Sequence, residues 1–240
     1  MSAKKVSTPK SADDQKKDAA LEALKLVTPG MTLGLGTGST ANHFIRALGA
    51  KVKEGLEVRG VPTSRATADL AKELGIPLTT LNDHPYLDMC VDGADEFDDK
   101  LRLIKGGGGA LLIEKIVATS AKQVVIITDE SKRVKTLGKF PLPVEVVNMG
   151  IKATAWKLER TFRMLGMSPK MTLRMKDGQP FRTDLGNSII DAACEEIKEP
   201  ERLEFVLNNI PGVVNNGLFI GIASRVIMAT AKGTEDISGT

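Results

Sequence analysis

Apolar residues in the first half of this chain alternate between short unbroken blocks and longer stretches at helical spacing. The blocks predict strands at 31–35, 57–61, 76–81, 87–91, 101–104 and 123–128. The last is apolar almost throughout, as in a strand buried on both faces. Between the blocks, one helix runs through Leu21, Leu24 and Val27, capped by Ser11 and stopped at Thr28-Pro29-Gly30. A second passes through Phe44, Ile45 and Leu48. A third spans 65–74, with Thr63-Ser64 before it and Gly75 after it. A fourth carries the chain from four consecutive glycines, 106–109, to about Ala121.

Strands alternating with helices predict an α/β fold, a doubly wound and mostly parallel sheet of Rossmann-like type. Ligands of such sheets bind at the carboxyl ends of the strands. From about 139 the rhythm changes to strand 143–149, helix 151–165, strands 171–175 and 187–193, helix 200–209 and strand 213–219. That order is the split βαβ pattern of ferredoxin-like α+β domains, with Asp177-Gly178 as the turn between the middle strands. A strand at 224–230 then rejoins the first sheet. The expected division is a catalytic domain at 1–138 plus 218–240 and a smaller inserted domain at 139–217, with 1 to about 11 a disordered tail.

Composition narrows the function more than the fold. A net charge of +3 comes from 33 basic and 30 acidic residues mixed along the chain, so no basic face marks a nucleic-acid surface. Aromatic residues at 4% and not interleaved with basic ones weaken that reading further. No apolar run approaches the roughly 18 residues of a membrane span, and the N-terminus lacks the apolar core of a signal peptide. Cys90 and Cys194 lie far apart without metal-ligand spacing and read as buried thiols of a reducing compartment. The expectation is a cytoplasmic protein without nucleic-acid or membrane partners.

Candidate chemistry gathers at the strand ends. The first block feeds Gly34-Leu35-Gly36-Thr37-Gly38-Ser39-Thr40 and then a helix, an arrangement that places N–H groups and hydroxyls around a phosphate. A dinucleotide fingerprint needs glycine where Ser39 stands, and a P-loop needs a lysine that is missing. A single phosphate on a small molecule fits better. Lys105 precedes the four glycines, whose conformational freedom suggests close backbone approach to a ligand. Glu114 follows on the helix with Ala110, Leu111, Val117 and Ala118 as its neighbours at helical spacing. Burial there raises a carboxylate's pKa towards the range useful for proton transfer; the alternative is a Glu114 turned to solvent or paired with Lys132 or Arg133.

Asp92 and Asp95 end an apolar strand in V-D-G-A-D-E. Their glycine stands second rather than sixth, unlike an EF-hand loop, and neither His43 nor His84 joins them. Hydrogen bonding to sugar hydroxyls is therefore favoured over metal binding. Asp98 and Asp99 read as turn residues. Lys132, just past the strand 123–128, stands where an ammonium meets a phosphate at the same sheet edge, or is an ordinary surface lysine.

Taken together, G-L-G-T-G-S-T-A, V-D-G-A-D-E, I-K-G-G-G-G-A-L with the following E-K, S-K-R-V-K-T-L-G-K-F-P-L-P-V-E-V, and I-P-G-V-V resemble ribose-5-phosphate isomerase type A. The likeness runs in the same order from about Lys16 to beyond Val226; Gly109, often alanine in that family, is a small departure. It implies a metal-free and cofactor-free conversion of ribose 5-phosphate to ribulose 5-phosphate in the pentose phosphate pathway, by a homodimer or homotetramer. It implies Glu114 as the base between C1 and C2. Asp92, Asp95 and Lys105, with Gly93, Ala94, Gly106, Gly107 and Gly108 around them, bind the sugar, assist ring opening and stabilise the enediolate. Thr37, Gly38, Ser39, Thr40 and Lys132 hold the phosphate, with Lys16 a further candidate. Two other functions share such folds. A sugar-phosphate sensor needs a DNA-binding helix-turn-helix, for which the tail is too short. A CoA transferase uses a glutamate as nucleophile, which a trapped thioester distinguishes.

Overall fold

The computed structural model describes residues 10–238; the segment 1–9, most of the expected tail, lies outside the described residues. Helix α1 (Ala12–Leu24) opens on a capping box in which Asp14 N–H donates to the Ser11 hydroxyl and Ser11 N–H donates to the Asp14 carboxylate. It ends short of Val27, and its buried face is Ala19, Ala20 and Ala23 with Gln15. Leu21, expected on that face, is exposed. Small side chains let α1 lie close on its neighbours, so the inward stripe is the alanines.

In order there follow β1 (Thr32–Leu35), α2 (Ser39–Lys53), β2 (Arg59–Pro62), α3 (Arg65–Glu73) and β3 (Met89–Asp92). The strand expected at 76–81 shrinks to one bridge between Leu78 and Gly60. Proline has no N–H, so only the Pro77 carbonyl and the Thr79 N–H pair there, both with Gly60. Next come β4 (Glu96–Phe97), β5 (Leu103–Ile104), α4 (Leu111–Thr119), β6 (Val124–Asp129) and a 3-10 turn, Glu130–Lys132. The remainder comprises β7 (Leu142–Val146), α5 (Ile151–Met164), β8 (Lys170–Leu173), β9 (Met175–Lys176), β10 (Gln179–Pro180) and β11 (Ser188–Ala193). Last are α6 (Pro200–Asn208), β12 (Val213–Asn216), β13 (Leu218–Phe219), β14 (Arg225–Thr230) and β15 (Gly233–Ser238).

The main sheet has the order β15-β14-β6-β3-β1-β2, parallel except for the β14–β15 hairpin. Strand 224–230 thus rejoins it as expected. β15 was not foreseen, because G-T-E-D-I-S carries no apolar block; it is an edge strand, largely exposed and paired on one side. Two expected strands are redistributed. The 101–104 block does not enter the main sheet: β5 pairs antiparallel with β4 and β13 in a separate three-stranded sheet. Leu101 takes a left-handed φ of 56°, in a turn where Asp98 accepts from the N–H groups of Lys100 and Arg102. That turn leaves only the last two residues of the block to pair. The 213–219 block divides between β12 and β13, which belong to different sheets.

The smaller α+β unit has the antiparallel order β12-β7-β11-β8, fourth, first, third, second, as the split βαβ pattern requires. Its core gathers Val144, Val146, Leu158, Phe162, Ile190 and Leu207. One core of the larger unit holds Leu33, Phe44, Ile45, Leu48 and Ile127, and another holds Val117, Ile126, Phe219 and Val226. No helix among the described residues is long and apolar enough to cross a membrane.

Candidate active site

The sheet places β2 on one side of β1 and β3 on the other, so the winding reverses between β1 and β3. A crevice opens at the carboxyl ends of strands at such a point. The loops after β1 and β3 both enter it.

Asp92, the last residue of β3, is buried. Its Oδ1 accepts from the N–H groups of Gly93 (2.7 Å) and Thr37 (3.1 Å). A Cβ on Gly36 would fall 2.2 Å from that same oxygen, so only glycine leaves room for the carboxylate. Asp92 Oδ2 stands 3.0 Å from the Lys105 ammonium, and Glu114 Oε2 stands 3.4 Å from it. All three side chains are almost completely buried. Lys105 also donates to the Gly93 carbonyl at 2.7 Å and lies over the Phe219 ring, 5.4 Å from its centre. Asp92 Oδ2 and Glu114 Oε2 are buried at ion-pair distance from the ammonium without an aligned hydrogen bond.

One cation facing two carboxylates sets their titration. Burial pushes Glu114 up to about 8, against the pull of Lys105 and with the help of Asp92 and Asp95. Burial alone would lower Lys105, but attraction to Asp92 and Glu114 outweighs it and holds the ammonium above the usual lysine value. Glu114 therefore neither turns to solvent nor pairs with Lys132 or Arg133; Arg133 is paired with Asp99 instead.

Asp95 sits nearer the opening and accepts from Gly107 N–H at 2.7 Å. Across the cleft, α2 begins at Ser39 with Gly38 as its cap residue and no side-chain cap, leaving its first N–H groups for a ligand. Lys16 Nζ lies 3.2 Å from Ser39 Oγ, and Lys132 lines the same cleft from the turn after β6. Every other residue that the family resemblance assigns to the substrate lines this cleft too, save Asp92, which the hydrogen bonds above place beneath it; Gly109 of the glycine run does not line it. The cavity is small, about 120 Å³. A roomier one of about 710 Å³ lies in the smaller unit, but no buried carboxylate or lysine network gathers there.

The chain matches the family model described as Ribose 5-phosphate isomerase A (phosphoriboisomerase A) over residues 59–233. It is 60% identical over 228 residues to ribose-5-phosphate isomerase A of Parvibaculum lavamentivorans, covering 95% of this chain and 99% of that one. The chain belongs to the ribose-5-phosphate isomerase A family. A solved D-ribose-5-phosphate isomerase in complex with phospho-erythronic acid superposes with a TM-score of 0.90 at 42% identity, covering 95% of this chain and all (100%) of that one. Ribose 5-phosphate isomerase A of Methanocaldococcus jannaschii superposes with a TM-score of 0.86 at 43% identity, with the same coverage of 95% and 100%.

Within this isomerase-family site the structure adds residues that the sequence reading missed. The Thr37 hydroxyl lies 2.7 Å from that of Thr63, 2.8 Å from Ser64 and 3.1 Å from Thr67. Those three donate elsewhere: Thr63 to the Leu35 carbonyl, Ser64 to Thr67, and Thr67 to the Gly36 carbonyl. The Thr37 proton therefore goes to Ser64, and its side chain braces the loop against α3. Thr63-Ser64 follow β2 at the same sheet edge as the glycine loops, a signal that the capping reading passed over. Phe219, and Arg174, which donates to the Gly106 carbonyl at 2.9 Å, carried no signal, because each reaches the site from a distant part of the chain. The glycine run also has an internal cause: Gly109 has a φ of 84°, and a Cβ there would fall 2.4 Å from the Phe181 ring.

Proposed function

We propose that the chain interconverts D-ribose 5-phosphate and D-ribulose 5-phosphate, as its family does, with Glu114 as the base. The observation that carries this reading is a buried Glu114 beside one ammonium, on the wall of the cleft into which α2 opens its first N–H groups. In the aldose-to-ketose direction its carboxylate takes the proton from C2, and the electron pair left behind forms the enediolate. The same group, now protonated, returns the proton to C1, while the hydroxyl proton on O2 passes to O1, leaving the C2 carbonyl and the C1 hydroxyl. A base raised into the neutral range matches such a transfer better than an ordinary glutamate.

Lys105 stands where negative charge would develop on the substrate oxygens, and its two carboxylate neighbours keep it charged for that task. Asp92 and Asp95 orient sugar hydroxyls and assist ring opening. Ser39, Thr40 and the free N–H groups of α2, with Lys132 and Lys16, receive the phosphate far from the reacting carbons. This anchor lets binding energy position C1 and C2 beside Glu114.

The reading needs no metal and no cofactor, since Lys105 supplies the positive charge. It also places the chain in the cytoplasm, which suits two free cysteines, Cys90 buried and Cys194 partly buried. An assembly of two or four copies rests on the family resemblance alone, and sedimentation velocity tests it. The decisive experiment is an isomerase assay on ribose 5-phosphate in the presence and absence of chelator. Turnover that chelator abolishes and Mg²⁺ restores would overturn the metal-free reading; no turnover in either condition would overturn the activity.

A further inference from the structure

Four consecutive glycines impose almost no restraint on their own peptide planes, yet an active-site loop must hold its N–H groups in fixed directions. One restraint is internal, with the Gly109 N–H donating to the Gly106 carbonyl at 2.9 Å; Arg174, in the smaller unit between β8 and β9, supplies a second from outside the loop. Its Nη1 donates to the carbonyls of Gly106 (2.9 Å) and Gly107 (3.1 Å). The rest of its fork is held by Asp191 on β11, with Nε to Oδ2 at 2.9 Å and Nη2 to Oδ1 at 2.5 Å. The guanidinium also stands 5.8 Å from the centre of the Phe181 ring, which packs on Gly109. A planar fork bonded on both sides is a rigid connector, which a lysine cannot reproduce.

A trans peptide points its C=O and N–H in opposite directions. With the Gly106 and Gly107 carbonyls turned to Arg174, the N–H groups of Gly107 and Gly108 are turned the other way. Gly107 N–H meets Asp95 Oδ2 at 2.7 Å. Gly108 N–H has no protein acceptor among the described residues, and Gly108 lines the cleft. We propose that Arg174, oriented by Asp191, is a positioning residue for the isomerisation: it aims the Gly108 N–H at the substrate and, through the Gly107 N–H, orients Asp95. The inference deepens the proposed function and rests on it for its kinetic consequence, though the loop restraint does not.

The test uses Arg174→Met and Arg174→Lys in the full-length protein. Arg174→Met should lower kcat about ten- to hundredfold, the effect of one charged hydrogen bond. KM should change by less than about threefold, because the phosphate anchor is untouched. Arg174→Lys should recover only part of the loss. Nitrogen-15 relaxation should show Gly107 and Gly108 going from rigid, with an order parameter of about 0.85, to flexible, below about 0.6, while β3 and α4 stay unchanged. If Arg174→Met does not fold, Asp191→Asn should give the same kcat loss and loop mobility to a lesser degree. A folded variant with wild-type kcat, or with Gly107 and Gly108 still rigid, overturns the proposal. A wild-type protein inactive on ribose 5-phosphate would instead sink the functional reading, while the relaxation measurement still decides the clamp.

Discussion

Lys105 and Lys115 are both buried against the Phe219 ring, 5.4 Å and 4.9 Å from its centre, yet their ammonium groups are shifted in opposite directions. Lys105 faces two carboxylates and is held charged. Lys115 donates to the Asn215 side-chain oxygen at 2.7 Å and to the carbonyls of Asn216 and Leu218 at 2.9 and 2.8 Å. Its nearest carboxylate oxygen, on Glu204, is 3.9 Å away. Burial therefore wins and lowers Lys115 to about 8, with Glu204 opposing only weakly. Neutral dipoles satisfy an ammonium's hydrogen bonds without neutralising its charge; only ionised partners outweigh the loss of water. Lys105 thus serves the chemistry, and Lys115 ties α4 to the chain entering β13.

The sharpest break in the comparison removes one carboxylate from Lys105. Glu114→Gln should leave the fold intact and lower kcat by at least about 10²–10⁴-fold, the usual worth of a positioned base. Exchange of the C2 hydrogen with solvent deuterium should stop in the same variant. Exchange at near wild-type rate would move the base elsewhere, with Asp92 next in line.

Removing each lysine in turn tests their difference directly. Lys105→Met strands Asp92 and Glu114 together and should lose about 3–5 kcal/mol of stability in urea titrations. Lys115→Met leaves neutral acceptors and should lose about 1–3 kcal/mol, with kcat changed only severalfold. Equal losses for the two would show that charge partners do not distinguish them.

A third lysine, Lys132, is half-buried in the wall of the cleft and makes no ion pair among the described residues. Lys132→Ala should raise KM for ribose 5-phosphate about ten- to hundredfold and leave the poor turnover of unphosphorylated ribose alone. Equal losses on both sugars would place Lys132 away from the phosphate.

The smallest effects are those of pH, and they have opposite signs. Glu114 is raised in the folded protein, so between its ordinary value and about 8 the native state binds more protons than the unfolded state, and stability falls as pH rises. Lys115 is lowered, so from about 8 to its ordinary value the unfolded state binds more protons, and its contribution rises with pH. Lys115→Met should remove the second trend from pH-dependent melting curves and keep the first. The acid limb of kcat/KM should lie above about 4.3, the model-peptide glutamate value; a limb at that value would mean that burial does not control Glu114.

From its own residues the chain determined the parallel sheet, the βαββαβ order of the smaller unit, and the glycine-rich and acidic loops that line the cleft, whereas Lys16 was named only through the family resemblance. These follow from periodicity and from loops that leave strand ends, which are local properties. Even the raised pKa of Glu114 was legible, because its helical neighbours Leu111, Val117 and Ala118 are apolar and buried. Tertiary structure alone decided the rest. It sent 103–104 and 218–219 to a separate sheet, turned α1 onto its alanines, and set Phe219 between two lysines. It also brought Arg174 to the glycine loop, a contact between residues 67 and 68 positions apart. Spacing within a segment says which face is apolar, but packing between segments decides what that face meets and which charges share a site without water.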